Sequence, residues 1–230
     1  MCARFQTPAQ AAAERYWQLI KPDWTYNLSW RVLPTTLVPI VLTIDGQRTG
    51  RMMRWDLVPW RSHGVPTGKV LINAKSENIE TNYYWKEPWS RRQRCIFSMA
   101  GFYEPHKFED GRKEPFYVHL ADREIFGVAG LWDRSVKEDG SEVQSCTLIT
   151  LPANSLMSWV HNEKLRMPAV LREQDHDAWL NGNPADAKSA LVPYPDELMV
   201  AWQVSRNINS PKLPDDESLI LPVPKQPIRQ

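Results

Sequence analysis

The chain has 230 residues, of which 42% are hydrophobic and 24% are charged, as is usual for a soluble globular protein with room for one large or two small domains. No apolar run reaches 18 residues and no basic region precedes an apolar stretch at the N-terminus, so neither a membrane span nor a secretory leader is expected. Three widely spaced cysteines, Cys2, Cys95 and Cys146, argue against a disulfide scaffold or a zinc ribbon and fit a cytoplasmic location.

Two features of the composition and charge are unusual. The chain contains 11 tryptophans, and its 19 prolines against 10 glycines favour fixed turns and short strands over long helices. The net charge of +1 conceals an asymmetry, because residues 1–120 carry +6 and residues 121–230 carry −5. Such a split is either a chance distribution over solvated surface or one basic face for an anionic partner.

The predicted elements begin with a capped helix from Thr7 to Trp17, in which Thr7 is the N-cap and Pro8 occupies the first turn. Strands are then predicted at residues 37–44, 51–55, 70–72, 94–98, 115–120, 125–132, 143–151 and 198–204. Asp139-Gly140 is a hairpin turn signal. Helices are predicted late in the chain, at residues 154–160, 173–180 and 184–191.

These elements predict a single α+β domain over residues 1–210. Its core would be a strand-dominated mixed sheet, largely antiparallel and barrel-like, with peripheral helices. From residue 211 onward, five prolines and several charged residues predict a flexible, mostly unpacked tail over residues 211–230.

Cys2 is the first candidate for chemistry. Removal of Met1 would leave an N-terminal cysteine, whose α-amine has a pKa of about 7.7–8.0 against about 10.4 for a lysine. Such an amine condenses with an aldehyde to an imine, and the neighbouring thiol can then close a thiazolidine ring. The alternative is a cysteine that is at position 2 by chance.

Three further residues have both a functional and a structural interpretation. Asn73 follows a short apolar stretch, so its amide either faces a cleft or caps the following turn. Glu104 lies among aromatic residues and a proline, and is either a general acid or base with a raised pKa or a surface glutamate. His161 is either a proton shuttle or a loop histidine bonded to the backbone.

Residues 53–61 interleave arginines and tryptophans around a proline, which fits a single-stranded nucleic-acid groove, although the segment taken alone favours tryptophans buried in a core. Four other histidines show no metal-ligand spacing with cysteines or carboxylates: His63, His106, His119 and His176. No metal ion or cofactor is therefore expected.

Taken together and in chain order, the motifs of this sequence resemble those of the SOS response-associated peptidase family. The matching segments are Cys2-Ala3-Arg4-Phe5, Pro34-Thr35, residues 54–60, 73–77, 101–105 and 150–154, and His161 followed by Arg166-Met167-Pro168. They span about residues 2–210. The chain departs from the family pattern at Ala3 and Asp56, where glycine is common, and at Lys75, where arginine is frequent.

The resemblance implies a DNA-repair protein that binds abasic sites in single-stranded DNA. Its N-terminal Cys2, released by self-processing of Met1, would form a thiazolidine crosslink with the sugar aldehyde, and an abasic-site lyase activity would accompany it. Catalytic roles are implied for Cys2, Asn73, Glu104 and His161. DNA contacts are implied for Arg4, Pro34, Thr35, Trp60, Lys75, Thr150 and Arg166.

Two other functions remain open at this point. One is a thiol peptidase that acts on other proteins, and the other is a non-catalytic binder of single-stranded DNA. A monomeric protein of the cytoplasm, associated with the nucleoid if bacterial, is expected.

Overall fold

The computed structural model describes residues 2–20 and 22–223, which are built mainly from β-strands. The strands are β1 (Phe5–Gln6), β2 (Leu37–Ile44), β3 (Gln47–Trp55), β4 (Asn73–Lys75), β5 (Arg94–Met99), β6 (Gly101–Lys107), β7 (Lys113–Leu120), β8 (Phe126–Val136), β9 (Glu142–Pro152), β10 (Arg166–Pro168), β11 (Val170–Leu171) and β12 (Met199–Gln203). The helices are α1 (Gln10–Trp17), α2 (Lys86–Ser90), α3 (Ser155–Val160), α4 (His176–Asn181) and α5 (Pro184–Ser189). Among these residues no helix is long and apolar enough to cross a membrane.

Five strands form a closed ring in the order β9, β3, β2, β5, β8 and back to β9. Four of the five pairings are antiparallel, and the fifth, between β3 and β9, is parallel and joins Arg54 to Ser145. Closure leaves no unpaired edge within the ring. The prediction of a mixed, largely antiparallel, barrel-like α+β fold is therefore confirmed.

A second, antiparallel sheet has the order β1, β6, β7, β12. Two short strands, β4 and β10, pair with β9 on the barrel, β4 in parallel and β10 antiparallel. The beginning of the chain therefore lies beside β6, whereas β4 and β10 are fixed by a single long strand of the barrel.

The core contains most of the aromatic side chains. Phe5, Trp55 and Phe97 pack edge to face, with ring centroids 5.2–6.2 Å apart. Trp17 and Trp179 are also buried, and each indole N–H has an acceptor, Ser98 Oγ for Trp17 and the Cys95 carbonyl for Trp179, both at 2.8 Å. The many tryptophans are thus mainly a structural feature.

The N-terminal helix begins later than predicted, because Thr7 has another partner. Its hydroxyl accepts the backbone N–H of Ser29 at 2.9 Å, and its own backbone N–H donates to the Ser29 carbonyl at 2.9 Å. Helix α1 starts at Gln10, and Ala9 at the N-cap provides no side-chain hydrogen bond. The prediction of Thr7 as N-cap was therefore wrong.

Strand predictions were most accurate in the barrel. The strand at residues 37–44 has the predicted bounds, and Gly140 at the β8–β9 hairpin has a φ of +80°. Residues 70–72, however, form no strand, and β4 starts only at Asn73 because the Leu71 N–H donates to Asp56 Oδ1 at 2.8 Å. Strand β6 was not predicted.

The predicted unpacked tail contacts the domain at a few points, although most of its described side chains are exposed. Arg31 is buried, and its guanidinium donates to the Asn207 carbonyl at 3.2 Å and to the Leu213 carbonyl at 2.9 Å. Leu219 is buried in a small apolar cluster. The expectation of a mostly unpacked tail therefore changes only at these contacts, and residues 224–230 lie outside the described part.

Candidate active site

Strand β1 brings Cys2 close to Glu104. Phe5 pairs with Phe102 on β6, and the Arg4 carbonyl accepts the Tyr103 N–H at 3.1 Å, so the chain start runs antiparallel to the segment that contains Glu104. Cys2 is fully buried, and its thiol lies 3.5 Å from the Arg4 carbonyl. Burial, with a smaller contribution from the Glu104 charge, raises the pKa of the Cys2 thiol well above its usual range. The thiol is therefore protonated at neutral pH.

Asn73 holds the backbone of Cys2. Its amide Nδ2 donates to the Cys2 carbonyl at 2.8 Å, across 71 residues of sequence. As the first residue of β4, Asn73 is fixed by the parallel pairing with Leu148 on β9. The amide oxygen Oδ1 is buried and accepts no hydrogen bond from the residues that the structure describes. One end of the amide thus fixes Cys2, and the other is an acceptor available to a bound molecule.

Glu104 and His161 form a buried acid–imidazole pair. Glu104 Oε2 lies 3.5 Å from His161 Nε2, and each residue is only 2% exposed. Burial raises the pKa of Glu104 to about 7, and burial also lowers the pKa of His161 below its usual value. Near neutral pH Glu104 therefore exchanges its proton readily, and His161 is mainly a neutral base.

The tautomer of His161 follows from its second ring nitrogen. Nδ1 lies 3.0 Å from the Arg166 carbonyl, and a carbonyl only accepts hydrogen bonds. The neutral ring therefore has its proton on Nδ1, which leaves Nε2 as the acceptor that faces Glu104. His161 follows the last turn of α3, where its backbone N–H donates to the Met157 carbonyl at 2.8 Å.

Arg166 lies at the border of this site. Its Nη2 donates to the Thr150 carbonyl at 2.6 Å and approaches the Thr150 hydroxyl at 3.1 Å. Both Glu77 carboxylate oxygens also face the guanidinium, Oε2 at 3.0 Å from Nη2 and Oε1 on Nη1. The hydrogen bond from Arg166 lowers the pKa of Glu77 to about 2. This ion pair spans 89 residues of sequence.

Of four other predicted DNA-contact residues, Lys75 and Arg4 are close in sequence to Asn73 and Cys2, whereas Pro34 and Thr35 lie in the turn before β2. Lys75 is exposed and pairs with Thr150 across β4 and β9. Arg4 is partly exposed, and its buried Nε has no hydrogen-bond partner within the described chain. Thr35, after the half-buried Pro34, has a φ of +69° in the turn before β2, and its carbonyl accepts from Arg54 at 3.2 Å.

Trp60 lies elsewhere. It is 40% exposed in a short 3₁₀ turn, and the Arg91 guanidinium lies 4.8 Å from its ring centroid. It lines a cavity of about 210 Å³ with Tyr83 and Tyr84, and none of the four predicted catalytic residues lines that cavity. In the segment of interleaved arginines and tryptophans, Trp55 is thus core, whereas Trp60 is exposed.

Asp56 does not project into an open groove. It is 6% exposed, and while Oδ1 accepts the Leu71 N–H, Oδ2 faces Arg54 Nη2 at 3.1 Å. The charge that replaces the common glycine is therefore bound within the protein.

The structure thus brings Cys2, Asn73, Glu104 and His161 together, with Thr150 and Arg166 beside them. Glu77 belongs to the same motif as Asn73, but the sequence assigned it no role, because only the fold brings it to Arg166. Among the residues described, no group of three or more His, Cys, Asp or Glu side chains is arranged to hold a metal ion. The cluster therefore places Glu104 and His161, which can donate or accept protons near pH 7, next to the thiol and backbone of Cys2.

Comparison with known proteins finds related sequences along most of the chain. The family model described as "SOS response associated peptidase (SRAP)" matches residues 1–211. The chain is 31% identical over 195 residues to the Bacillus subtilis protein named "Abasic site processing protein YoqW", covering 83% of this chain and 85% of that protein. It is also 31% identical over 160 residues to "Abasic site processing protein YMR114C" of Saccharomyces cerevisiae, covering 68% of this chain and 41% of that protein.

Solved structures agree on the fold. A crystal structure of a Bacteroides thetaiotaomicron protein superposes with a TM-score of 0.84 at 25% identity, covering 96% of this chain and 100% of that one. A Bordetella bronchiseptica protein superposes with a TM-score of 0.78 at 24% identity, covering 89% and 100%.

Proposed function

This chain belongs to the SOS response-associated peptidase family, and from that premise we propose that it processes abasic sites in single-stranded DNA through a covalent crosslink at Cys2. The observation that carries the proposal is the placement of the Cys2 backbone on the Asn73 amide, beside the buried Glu104–His161 pair. The relatives named as abasic site processing proteins support the same substrate.

The first step would be self-processing. Hydrolysis of the Met1–Cys2 peptide bond consumes one water and releases methionine and a free Cys2 amine; Met1 itself lies outside the described residues. The Cys2 thiol would be the nucleophile, with Glu104 accepting its proton, because the raised pKa of the thiol makes a neighbouring base necessary. Asn73 would hold the Cys2 carbonyl in place during the reaction.

The second step would capture the lesion. The Cys2 amine adds to the sugar aldehyde, and Glu104 in its acid form protonates the departing oxygen, so one water leaves and an imine remains. The thiol then adds to the imine carbon, its proton passes to nitrogen, and the thiazolidine ring closes. His161, whose Nε2 faces Glu104, would open the cyclic sugar to the aldehyde and later return protons. The same imine would permit β-elimination, the lyase activity.

DNA would be held by charged and aromatic residues around the site. Arg4, Lys75 and Arg166 are suited to phosphate, and for Arg4 and Lys75 the basic net charge of the first 120 residues supports that assignment. Pro34, Thr35 and Thr150 would contact the sugar and backbone, whereas the half-exposed Trp60 would stack on a base. Holding the aldehyde and the amine in one cleft adds the advantage of proximity.

The test is a denaturing gel of full-length protein with single-stranded DNA that contains one abasic site. A heat-stable shifted band is expected from protein whose intact mass shows loss of Met1. The band should disappear in Cys2→Ala and persist in Cys95→Ala, which removes an equally buried thiol from the barrel.

Two outcomes would overturn the proposal. A band that survives in Cys2→Ala would assign capture to another residue, and no band from processed wild-type protein would exclude the reaction. Turnover of unrelated peptides by that protein would then favour a thiol peptidase. DNA binding unchanged by Cys2→Ala, with no crosslink in wild type, would favour a non-catalytic binder. Location in the cytoplasm, a monomeric state and a role in the SOS response form part of the same proposal.

A further inference from the structure

The guanidinium of Arg166 is already occupied. Its two terminal nitrogens, Nη1 and Nη2, face the two carboxylate oxygens of Glu77 in a fork-to-fork arrangement, the same geometry in which arginine binds a phosphate. A DNA phosphate that approached this edge of Arg166 would meet the Glu77 carboxylate in its place.

Arg166 has a second set of contacts that does not involve Glu77. Two contacts from Nη2 to Thr150, at 2.6 Å to its carbonyl and 3.1 Å to its hydroxyl, fix the guanidinium from the protein side. The Thr150 hydroxyl in turn lies 3.3 Å from the Ala74 carbonyl, so this support is part of the sheet. The ion pair with Glu77 is additional to that support.

The two partners also differ in exposure. The Arg166 side chain is 11% exposed, whereas that of Glu77 is 50% exposed. The carboxylate thus covers the arginine from the solvent side, the direction from which a ligand arrives. Glu77 lies in a one-turn 3₁₀ segment directly after β4, where a rotamer change exposes it to water without moving the strand.

The covered edge is close to the proposed chemistry. Through its carbonyl, Arg166 orients His161 at 3.0 Å, and through Thr150 it is linked to the strand that contains Asn73. The Arg166 backbone thus borders the Glu104–His161 pair, and a phosphate on its guanidinium would lie beside β4, which begins with Asn73.

We propose that Glu77 is an internal phosphate mimic, which occupies Arg166 in the free protein and is displaced by a phosphate of the DNA backbone. This inference rests on the proposed function for the identity of the ligand. Glu77 is then a specificity-determining residue: it weakens binding to any single phosphate and favours chains whose other contacts, at Arg4 and Lys75, offset the displacement.

The experiment measures binding without crosslinking. Full-length protein in a Cys2→Ala background is titrated against a fluorescent oligothymidylate that has no abasic site, at several salt concentrations. Glu77→Gln keeps the size and removes the charge. Glu80→Gln is the matched control, because Glu80 is three residues away, is similarly exposed and pairs with Lys188 instead of Arg166.

Glu77→Gln is expected to bind about 2- to 10-fold more tightly than Glu80→Gln, the range expected when a partly exposed ion pair no longer competes. Its plot of log affinity against log salt is expected to be steeper by up to ~0.7, because no released carboxylate takes up a counterion. Glu77→Ala should shift affinity in the same direction.

Affinity of Glu77→Gln equal to or below that of Glu80→Gln would overturn the inference and make Glu77 a support of Arg166. The failure of the proposed function is distinguishable. The proposed function fails only if processed wild-type protein gives no crosslinked band with abasic DNA. A parent protein that does not bind the oligothymidylate, or binding that Glu77→Gln does not strengthen, overturns only the inference about Glu77.

Discussion

Two regions of the molecule bury carboxylates, and they use them differently. The loop of residues 56–62 is tied to the barrel by Asp56 and Asp133, which are 6% and 1% exposed. The site on β6 contains Glu104, which is 2% exposed. By burial alone the three residues are equivalent.

Their partners separate them. Asp56 accepts the Leu71 N–H at 2.8 Å, and Asp133 accepts the N–H groups of Trp60 at 2.9 Å and of its β8 neighbour Arg134 at 2.8 Å. Both carboxylates therefore accept hydrogen bonds from backbone donors. Glu104 instead faces the titratable ring of His161, and its pKa is raised to about 7. A buried carboxylate that accepts backbone N–H groups organises the chain, whereas one beside an imidazole, with a pKa near neutrality, can move protons.

The largest effect is expected from Glu104→Gln. Loss of a general acid slows crosslinking by about 10²- to 10³-fold near pH 7, measured as the rate of band formation with excess DNA. Glu114→Gln is the control, because Glu114 is also nearly buried but pairs with Arg206. An undiminished rate in Glu104→Gln would show that Glu104, like Asp56 and Asp133, transfers no proton in the reaction.

The same variant changes the pH dependence in a defined direction. The reaction needs Glu104 protonated, which is lost as pH rises through about 7, and the Cys2 amine unprotonated, which is gained as pH rises through about 7.7–8.0. Wild-type protein should therefore show a bell-shaped profile with its maximum between these values. In Glu104→Gln the alkaline fall should disappear, and a fall that persists would belong to another group.

Asp56→Ala is expected to act on stability and not on rate. The change leaves the buried Leu71 N–H without its acceptor, which costs about 1–3 kcal/mol in the free energy of unfolding. For a chain of this size that corresponds to a fall in Tm of about 2–4 °C per kcal/mol. Asp56→Asn keeps an acceptor oxygen and should lose less. A slower crosslinking rate in folded Asp56→Ala would place Asp56 in the DNA groove.

The smallest effect is expected from Trp60→Leu, which tests whether the loop held by Asp56 and Asp133 contacts DNA. Loss of one stacked base raises the Kd for single-stranded DNA about fivefold, the lower end of the usual range, because one side of the ring already faces Arg91. Trp60→Phe keeps an aromatic face and should bind nearly as wild type. Equal affinities for Trp60→Leu and wild-type protein would exclude this loop from DNA binding and restrict the contacts to the region around Glu104.

Local sequence patterns correctly predicted the strands and turns that depend on residues adjacent in the chain. The strand of residues 37–44 and the turn at Gly140 follow from branched residues and a glycine. Thr7 was assigned wrongly, because its partner Ser29 is 22 residues away and competes with the helix for its hydroxyl. Likewise, the prolines after residue 211 suggested an unpacked tail, so the burial of Leu219 and the hydrogen bond from Arg31 to the Leu213 carbonyl were not predicted.

The sequence singled out four residues that the structure brings together, but it did not predict the contacts among them. Cys2, Asn73, Glu104 and His161 each had a structural alternative, and their order along the chain, through the family resemblance, was what selected the functional interpretation. The Glu77–Arg166 pair and the tautomer of His161 depend on contacts between distant segments, which a single sequence does not contain. The hydrogen-bonding partners of Asp56 could not be predicted for the same reason.

The parallel pairing that closes the barrel has a consequence for how the chain folds. The β2–β3 and β8–β9 hairpins join strands that are adjacent in sequence, but closure joins Arg54 and Trp55 to Ser145 and Cys146. Contacts of such long sequence separation form late, because the entropy of a long loop is lost before the pairing stabilises it. The two hairpins are therefore expected to form early and the ring to close slowly, on a time scale of about milliseconds to seconds.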